Sequence, residues 1–311
     1  MTFSSSTMTM RPSRSDYPVL RGLRHHVRTW GEPSDPVVVL LHGWMDVSAS
    51  FQFVVDALAS RWYVVALDWR GFGQSEWASD GYWFPDYLAD LDALLDIYSP
   101  GGPAPIVGHS MGGNIAGLYA GIRPKRVSAL VLAEGFGLKA STPGQAPARY
   151  GRWIDEVRAA SAFRPYADLE AVATHLRRNS PRLTLDRARH LAPHWSMPTD
   201  DGTRVPAADP RHKQVNPVLY RIEEAIACWQ AITAPTLWVW GGDRDWMKRF
   251  AGDDPDDWAR RRAAFADLAE CRIEEAGHMM HLEQPEAFAA AVEPFLLAAL
   301  AKRAAVDGPS G

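Results

Sequence analysis

The run Gly108-His109-Ser110-Met111-Gly112 sets one hydroxyl between two glycines, directly after the apolar stretch Ala104 to Val107 and just before a small-residue helical stretch from Gly113. A serine on a tight strand-to-helix turn sits in strained backbone geometry. Glycines two residues to either side are needed because side chains there would strike the adjoining strand and helix. Such a turn exposes the hydroxyl as a nucleophile. It also sets the Met111 backbone N–H at a helix N-terminus, where the donor and the helix dipole can stabilise an oxyanion.

This turn needs a rigid scaffold, and the chain has the material for one. With 311 residues and 47% apolar content it can bury a sizeable core. Pro36 to Leu41, Tyr63 to Leu67, Ala104 to Val107, Val127 to Ala133 and Thr236 to Trp240 are nearly all apolar, as expected of central parallel strands covered on both faces. Ser50 to Leu58, Trp83 to Tyr98 and Gly113 to Ile122 carry apolar residues at helical spacing and read as crossover helices. Leu23 to Trp30 reads as a more polar edge strand, and Cys271 to Glu275 as a last strand before a helix over Pro285 to Leu300.

The alternation breaks between Phe136 and Ala234. Helical patterns recur there at Trp153 to Ala162, Leu169 to Arg178, Thr184 to Leu191 and Leu219 to Trp229, around a Pro- and Asp-rich stretch from Met197 to Pro217. A structureless loop of that length does not fit a compact domain, so a helical lid over the C-terminal edge of the sheet is expected. The expected organisation is a disordered tail over 1–16, a core over 17–136 and 234–303, a helical cap over 137–233 and a polar tail over 304–311.

A net charge of −4 gives no basic surface for a phosphate backbone, so nucleic acid is not an expected partner. No apolar run approaches the roughly 20 residues that span a bilayer, and the N-terminal segment lacks the apolar stretch of a secretory signal. A cytoplasmic protein without a membrane partner, monomeric or homodimeric, is expected. Cys228 and Cys271 show no disulfide or zinc pattern and read as reduced thiols.

The serine turn and four further motifs together resemble the α/β-hydrolase superfamily, in its capped serine hydrolase, esterase-like branch, over roughly Leu23 to Ala301. The serine turn is joined by Leu41-His42-Gly43-Trp44, Gly241-Gly242-Asp243-Arg244-Asp245 and Ala276-Gly277-His278-Met279-Met280-His281-Leu282-Glu283-Gln284-Pro285. The loop Asp68-Trp69-Arg70-Gly71-Phe72-Gly73-Gln74-Ser75 is also similar to the family's; its Gly-x-Gly lacks the third glycine of a dinucleotide loop, and Asp68 and Arg70 read as structural.

The resemblance implies an eight-stranded, mostly parallel sheet flanked by helices, with a helical cap inserted after the sixth strand. It implies Ser110 as nucleophile and His278 as base, with His281 as the second choice. A neutral imidazole takes the serine proton and returns it to the leaving group while a buried carboxylate fixes its tautomer. Asp245 is the chosen acid. Asp243 and Glu134 remain alternatives, because some relatives carry the acid at the end of the sixth strand and Glu134 stands there. The oxyanion donors are the Trp44 and Met111 N–H groups, and His42, Gly43, His109 and Trp246 line the expected substrate pocket.

Tryptophans 44, 69, 77, 83 and 246 lie near strand ends and could rim an apolar pocket. The expected activity is hydrolysis of a small or medium apolar carboxylic ester through an acyl-enzyme, with ester and water as partners and without cofactor. His278 and His281 have no third ligand motif beside them, so no metal is expected. Carbon–carbon bond hydrolysis, acyl transfer or perhydrolysis by the same triad are the rivals, with a non-catalytic ligand-binding protein on this scaffold more remote. A carboxylate nucleophile, as in epoxide hydrolases, is disfavoured by Ser110.

Overall fold

The computed structural model describes residues 10–159, 161–243 and 245–306. Its main sheet has eight strands: β1 (Ser13–Asp16), β2 (Val27–Trp30), β3 (Val37–Leu41), β4 (Tyr63–Leu67), β5 (Ala104–His109), β6 (Val127–Ala133), β7 (Thr236–Gly241) and β8 (Leu268–Ile273). They run in the order β1-β2-β4-β3-β5-β6-β7-β8, parallel except for β2 against β1 and β4.

Side chains alternate across the strands and divide the core into two layers. Val39, Leu41, Val65, Leu67, Ile106 and Leu130 pack against α2 (Phe84–Tyr98) and α3 (Met111–Ile122) on one face. Val38, Leu40, Val64, Ala66, Val107 and Val131 pack against α1 (Gln52–Ala57) and the C-terminal helix Pro285–Val306 on the other. Both faces are covered, which is why these strands read as uninterrupted apolar runs.

Between β6 and β7 lie α4 (Ala146–Arg158), α5 (Leu169–Asn179), α6 (Leu185–Trp195) and α7 (Ile222–Gln230). Asp168 and Thr184 cap α5 and α6 by accepting the Ala171 and Arg187 N–H groups. Val172, Leu176, Ala188 and Leu191 from these two helices bury against Val47, Phe53 and Leu282, fastening the insertion to the loop after β3 and the segment after His278. The Pro- and Asp-rich stretch is held by the hairpin Ser196–Pro198 with Arg204–Pro206, and by backbone bonds from Gly73 N–H to Ala207 O and from Asp209 N–H to Gly71 O. In contrast α7 returns to the sheet layer, where Trp229 packs beside Gly117 of α3.

Several expectations are corrected. Ser13–Asp16 is an edge strand, not part of a tail; its polar side chains suit a solvent-facing edge because the ladder is made by backbone groups. Consequently Val27–Trp30 is internal, while Leu23–Arg24 pairs with Val19–Leu20 in a separate hairpin. The last strand begins earlier than expected, at Leu268, and the final helix runs on to Val306, through the start of the expected polar tail. Two helices, α8 (Asp245–Ala251) and α9 (Pro255–Arg262), fill the β7–β8 crossover. The remaining helices are α10 (Met280–Glu283) and α11 (Pro285–Val306). Residues 1–9 and 307–311 lie outside the described part. Cys228 and Cys271 are free thiols, and no helix among the described residues is long and apolar enough to cross a membrane.

The loop after β4 confirms the structural reading of Asp68 and Arg70. Asp68 accepts from the Ser48 and Gln74 N–H groups and meets His26 Nδ1 at 2.7 Å. Arg70 grips Asp90 of α2 with two bonds of 2.6 and 2.7 Å, and both side chains are buried. Removing Asp90 leaves the buried Arg70 charge with only its longer contact to Asp86 at 3.3 Å, and takes a partner from buried His25 as well. Asp90→Ala is therefore expected to cost about 3–5 kcal/mol, read as a lowered urea midpoint; a midpoint at the wild-type value would refute the pairing argument.

Candidate active site

The site is built where β5 and β6 end side by side. Ser110 follows β5 at φ +51° and ψ −113°, its N–H donating to the Ala133 carbonyl and its own carbonyl accepting from Asn114 N–H. A non-glycine residue at positive φ is costly and marks stored strain. The glycines around it make the crossing feasible. A Cβ on Gly108 would lie 2.4 Å from Gly112 O, and one on Gly112 would lie 2.3 Å from Leu41 O. Ser110 caps α3 only by position: its side chain makes no capping bond, so Oγ is not diverted to the helix terminus.

His278 stands in the loop between β8 and α10, with only 14% of its side chain exposed. The loop is held from two sides. Gly277 N–H donates to Glu283 Oε2, and Asp243 N–H donates to the Ala276 carbonyl. A third tie comes from beside the serine, where His109 Nε2–H donates to the His278 carbonyl at 2.8 Å and the two rings lie 4.8 Å apart. The histidine loop is thereby attached to the residue before Ser110.

The carboxylate facing His278 is Glu134. Its Oε2 lies 3.4 Å from His278 Nδ1, and its Oε1 accepts the Gly241 N–H at 2.8 Å. Glu134 directly follows β6 at φ +57°, a second strained non-glycine position, with its side chain wholly buried. The next residue must be glycine, since a Cβ on Gly135 would lie 2.6 Å from both Ser110 O and Gly113 Cα. The chosen acid lies elsewhere. Asp245 opens α8 and is exposed, and its N–H is capped by Asp243 Oδ1 at 3.2 Å; Asp243 is exposed too. The helix that begins at Asp245 leaves this side chain in solvent. Arg244 and the Trp246 side chain lie outside the described part.

The loop after β3 approaches the serine from the other side. A Cβ on Gly43 would come within 3.1 Å of Ser110 Cβ, so glycine permits the contact. Among the described residues neither Trp44 nor Met111 gives its backbone N–H to a protein acceptor, which leaves two donors beside Ser110. The Trp44 side chain is half exposed, and its indole N–H donates to the His212 carbonyl of the insertion.

His42 and His109 are buried and bonded to backbone rather than lining an open pocket. His42 has Nδ1 at the Gly43 carbonyl and Nε2 accepting the Trp69 N–H, and His109 Nε2 is taken by the His278 carbonyl. Trp69 is core, whereas Trp77 and Trp83 are exposed. A surface cleft of about 430 Å³ between Val37, Tyr63 and Tyr98 lies at the opposite ends of the strands, away from Ser110. Two residues escaped the sequence reading. Asp46, in the loop after β3, meets His281 (Oδ2 to Nε2, 3.5 Å) behind His109, and His212 is sandwiched between Phe72 and Tyr82. The His-x-x-His spacing was the available signal for the first; nothing local marks Asp46 as its partner.

Burial keeps this region uncharged. It pushes His278 down to about 3, with neighbouring His281 adding to the effect, and pushes His212 down to about 3. Burial also lowers His42 and His109. A neutral His278 is a proton acceptor at neutral pH. Because the folded values lie below the ordinary 6.5, this stability is complete above about pH 6.5 and is lost as pH falls towards 3, each group removing up to about 1.4 kcal/mol per pH unit. Urea unfolding at pH 7.5 and 5.5 should show a fall several times that of one proton. A flat profile would contradict it.

Residues 36–285 match the family model described as the alpha/beta hydrolase fold. The chain is 28% identical over 308 residues to a serine hydrolase-like protein of Danio rerio, covering 94% of this chain and 91% of that protein. It is 27% identical to the 2-(acetamidomethylene)succinate hydrolase of Mesorhizobium japonicum, over 67% of this chain and 71% of that one. A solved thioesterase domain from the curacin biosynthetic pathway shares the fold, with a TM-score of 0.81 at 24% identity over 91% of this chain and 99% of that chain.

Proposed function

The chain belongs to the α/β-hydrolase fold family, and on that footing we propose that it is a serine hydrolase cleaving a small or medium, fairly apolar carboxylic ester through an acyl-enzyme on Ser110. The observation that carries this reading is a strained serine at φ +51° whose preceding residue bonds the His278 loop, together with an imidazole there whose Nδ1 faces a buried carboxylate at 3.4 Å.

In this mechanism His278 removes the Ser110 proton as Oγ attacks the ester carbonyl, and the Trp44 and Met111 N–H groups hold the oxyanion. His278 returns the proton to the leaving alcohol. It then activates water against the acyl-enzyme. Glu134 takes the role expected of Asp245: it accepts the Nδ1–H bond, fixes the tautomer and stabilises the imidazolium. Burial alone disfavours that imidazolium, so the carboxylate is needed most in the transition state. The insertion between β6 and β7 is assigned as the cap, and α5 and α6 as the part that seats it over the loop after β3.

A fluorophosphonate probe should label the wild type and fail to label Ser110→Ala. An unlabelled wild type would end the acyl-enzyme reading. Replacing the acids ranks them: Glu134→Gln should lower kcat on a responsive ester by about 10³–10⁴-fold, while Asp245→Asn and Asp243→Asn should each stay within about threefold. The reverse order would restore Asp245. Lactones and vinylogous diketones in the same panel separate ester hydrolysis from carbon–carbon cleavage.

A further inference from the structure

Behind the serine turn, Asp46, His109 and His281 form a buried cluster in which one donor atom of each lies within 4.8 Å of the other two. All three side chains are at least 97% buried, at 3%, 1% and 0% exposure. Their polar atoms are poorly served. His109 Nδ1, Asp46 Oδ2 and both ring nitrogens of His281 have no hydrogen-bond partner among the described residues.

The orientation of the lone pairs follows from the neighbours. His109 Nε2 faces the His278 carbonyl at 2.8 Å, and a carbonyl can only accept, so the proton sits on Nε2 and Nδ1 carries a bare lone pair. Asp46 Oδ1 is used by the Ser50 hydroxyl, leaving Oδ2 free. His281 Nε2 is 3.5 Å from that oxygen, beyond a good hydrogen bond.

We propose that Asp46, His109 and His281 form a binding site for one divalent transition-metal ion. Two imidazole nitrogens and a carboxylate oxygen are the donor set of zinc, cobalt or nickel rather than of calcium or magnesium. Ligand atoms at about 2.1 Å from a tetrahedral ion are about 3.4 Å apart, so the His281–Asp46 edge at 3.5 Å is nearly at its bound length, and the other donor atoms lie within 4.8 Å. The ion would make no contact in the triad reading of Ser110, His278 and Glu134, and the site stands whether or not that reading holds. Access requires the histidine loop to part from the loop after β3, so uptake is slow. The ion adds charge behind His109, whose ring lies against His278, and therefore opposes imidazolium formation there.

The test uses the full chain, stripped with chelator and dialysed against Co²⁺. Wild type should take up one Co²⁺ per chain by metal analysis and develop visible d–d absorption. His281→Gln and Asp46→Asn should each weaken uptake by about tenfold or more, with near-ultraviolet circular dichroism checking that each variant is folded. His194→Gln removes one member of the other close histidine pair, His190 and His194, on α6, and should leave uptake at one. Absence of uptake by wild type overturns the proposal outright, even if a variant fails to fold. Full uptake by folded His281→Gln, or loss of uptake in His194→Gln, also overturns it.

Discussion

Everything around Ser110 depends on how closely four backbone segments cross. The ends of β3 and β5, the start of α3 and the segment leaving β6 approach until glycine alone fits at 108, 112 and 135, with would-be Cβ contacts of 2.3 to 2.6 Å against backbone atoms. The crossing forces Ser110 into positive φ and drives its hydroxyl out of the helix cap. It also sets the residue before Gly135 at the rim of the same turn. The serine and Glu134 thus share one constraint: neither can move without separating strands whose side chains are locked in two apolar layers.

A second consequence is electrical. The apolar layers and the insertion close over a group of imidazoles and leave them neutral, so the site is a basic rather than cationic environment at neutral pH. The carboxylates that compensate are few and specific. Asp68 serves the loop after β4, Asp90 serves Arg70, Asp46 lies beside His281, and Glu134 faces His278. Each is positioned by backbone N–H donors or by specific side-chain partners, which is how a buried carboxylate stays charged without general solvation.

What could be read from the chain beforehand follows from how local each feature is. The five central strands declared themselves because burial on both faces leaves an uninterrupted apolar run, and Ser110 because its glycines are two residues away. Glu134 was harder: the pairing of β6 with β7 brings it to Gly241, 107 positions later, and nothing in Ala133-Glu134-Gly135 announces that encounter. The aspartates after Gly242 looked better placed because they occupy the expected loop, but helix α8 starts at Asp245 and turns it outward. Ser13–Asp16 was hidden because a solvent-facing edge strand carries no apolar pattern. The highly charged α9 buries little besides Trp258 and Arg261, and so showed no stripe.

Glu134 is the first residue after β6, where the chain departs into the insertion, and the rest of the molecule inherits that address. Its carboxylate ties the base loop to β6 and, through Gly241, to β7, so the segment that anchors the insertion and the segment that orients His278 share one root. The loop of Gly242, Asp243 and Asp245 is correspondingly relieved of that duty. Sequence drift in the β7–α8 turn should be tolerated, whereas a change in how the insertion leaves β6 would be felt at the His278 imidazole.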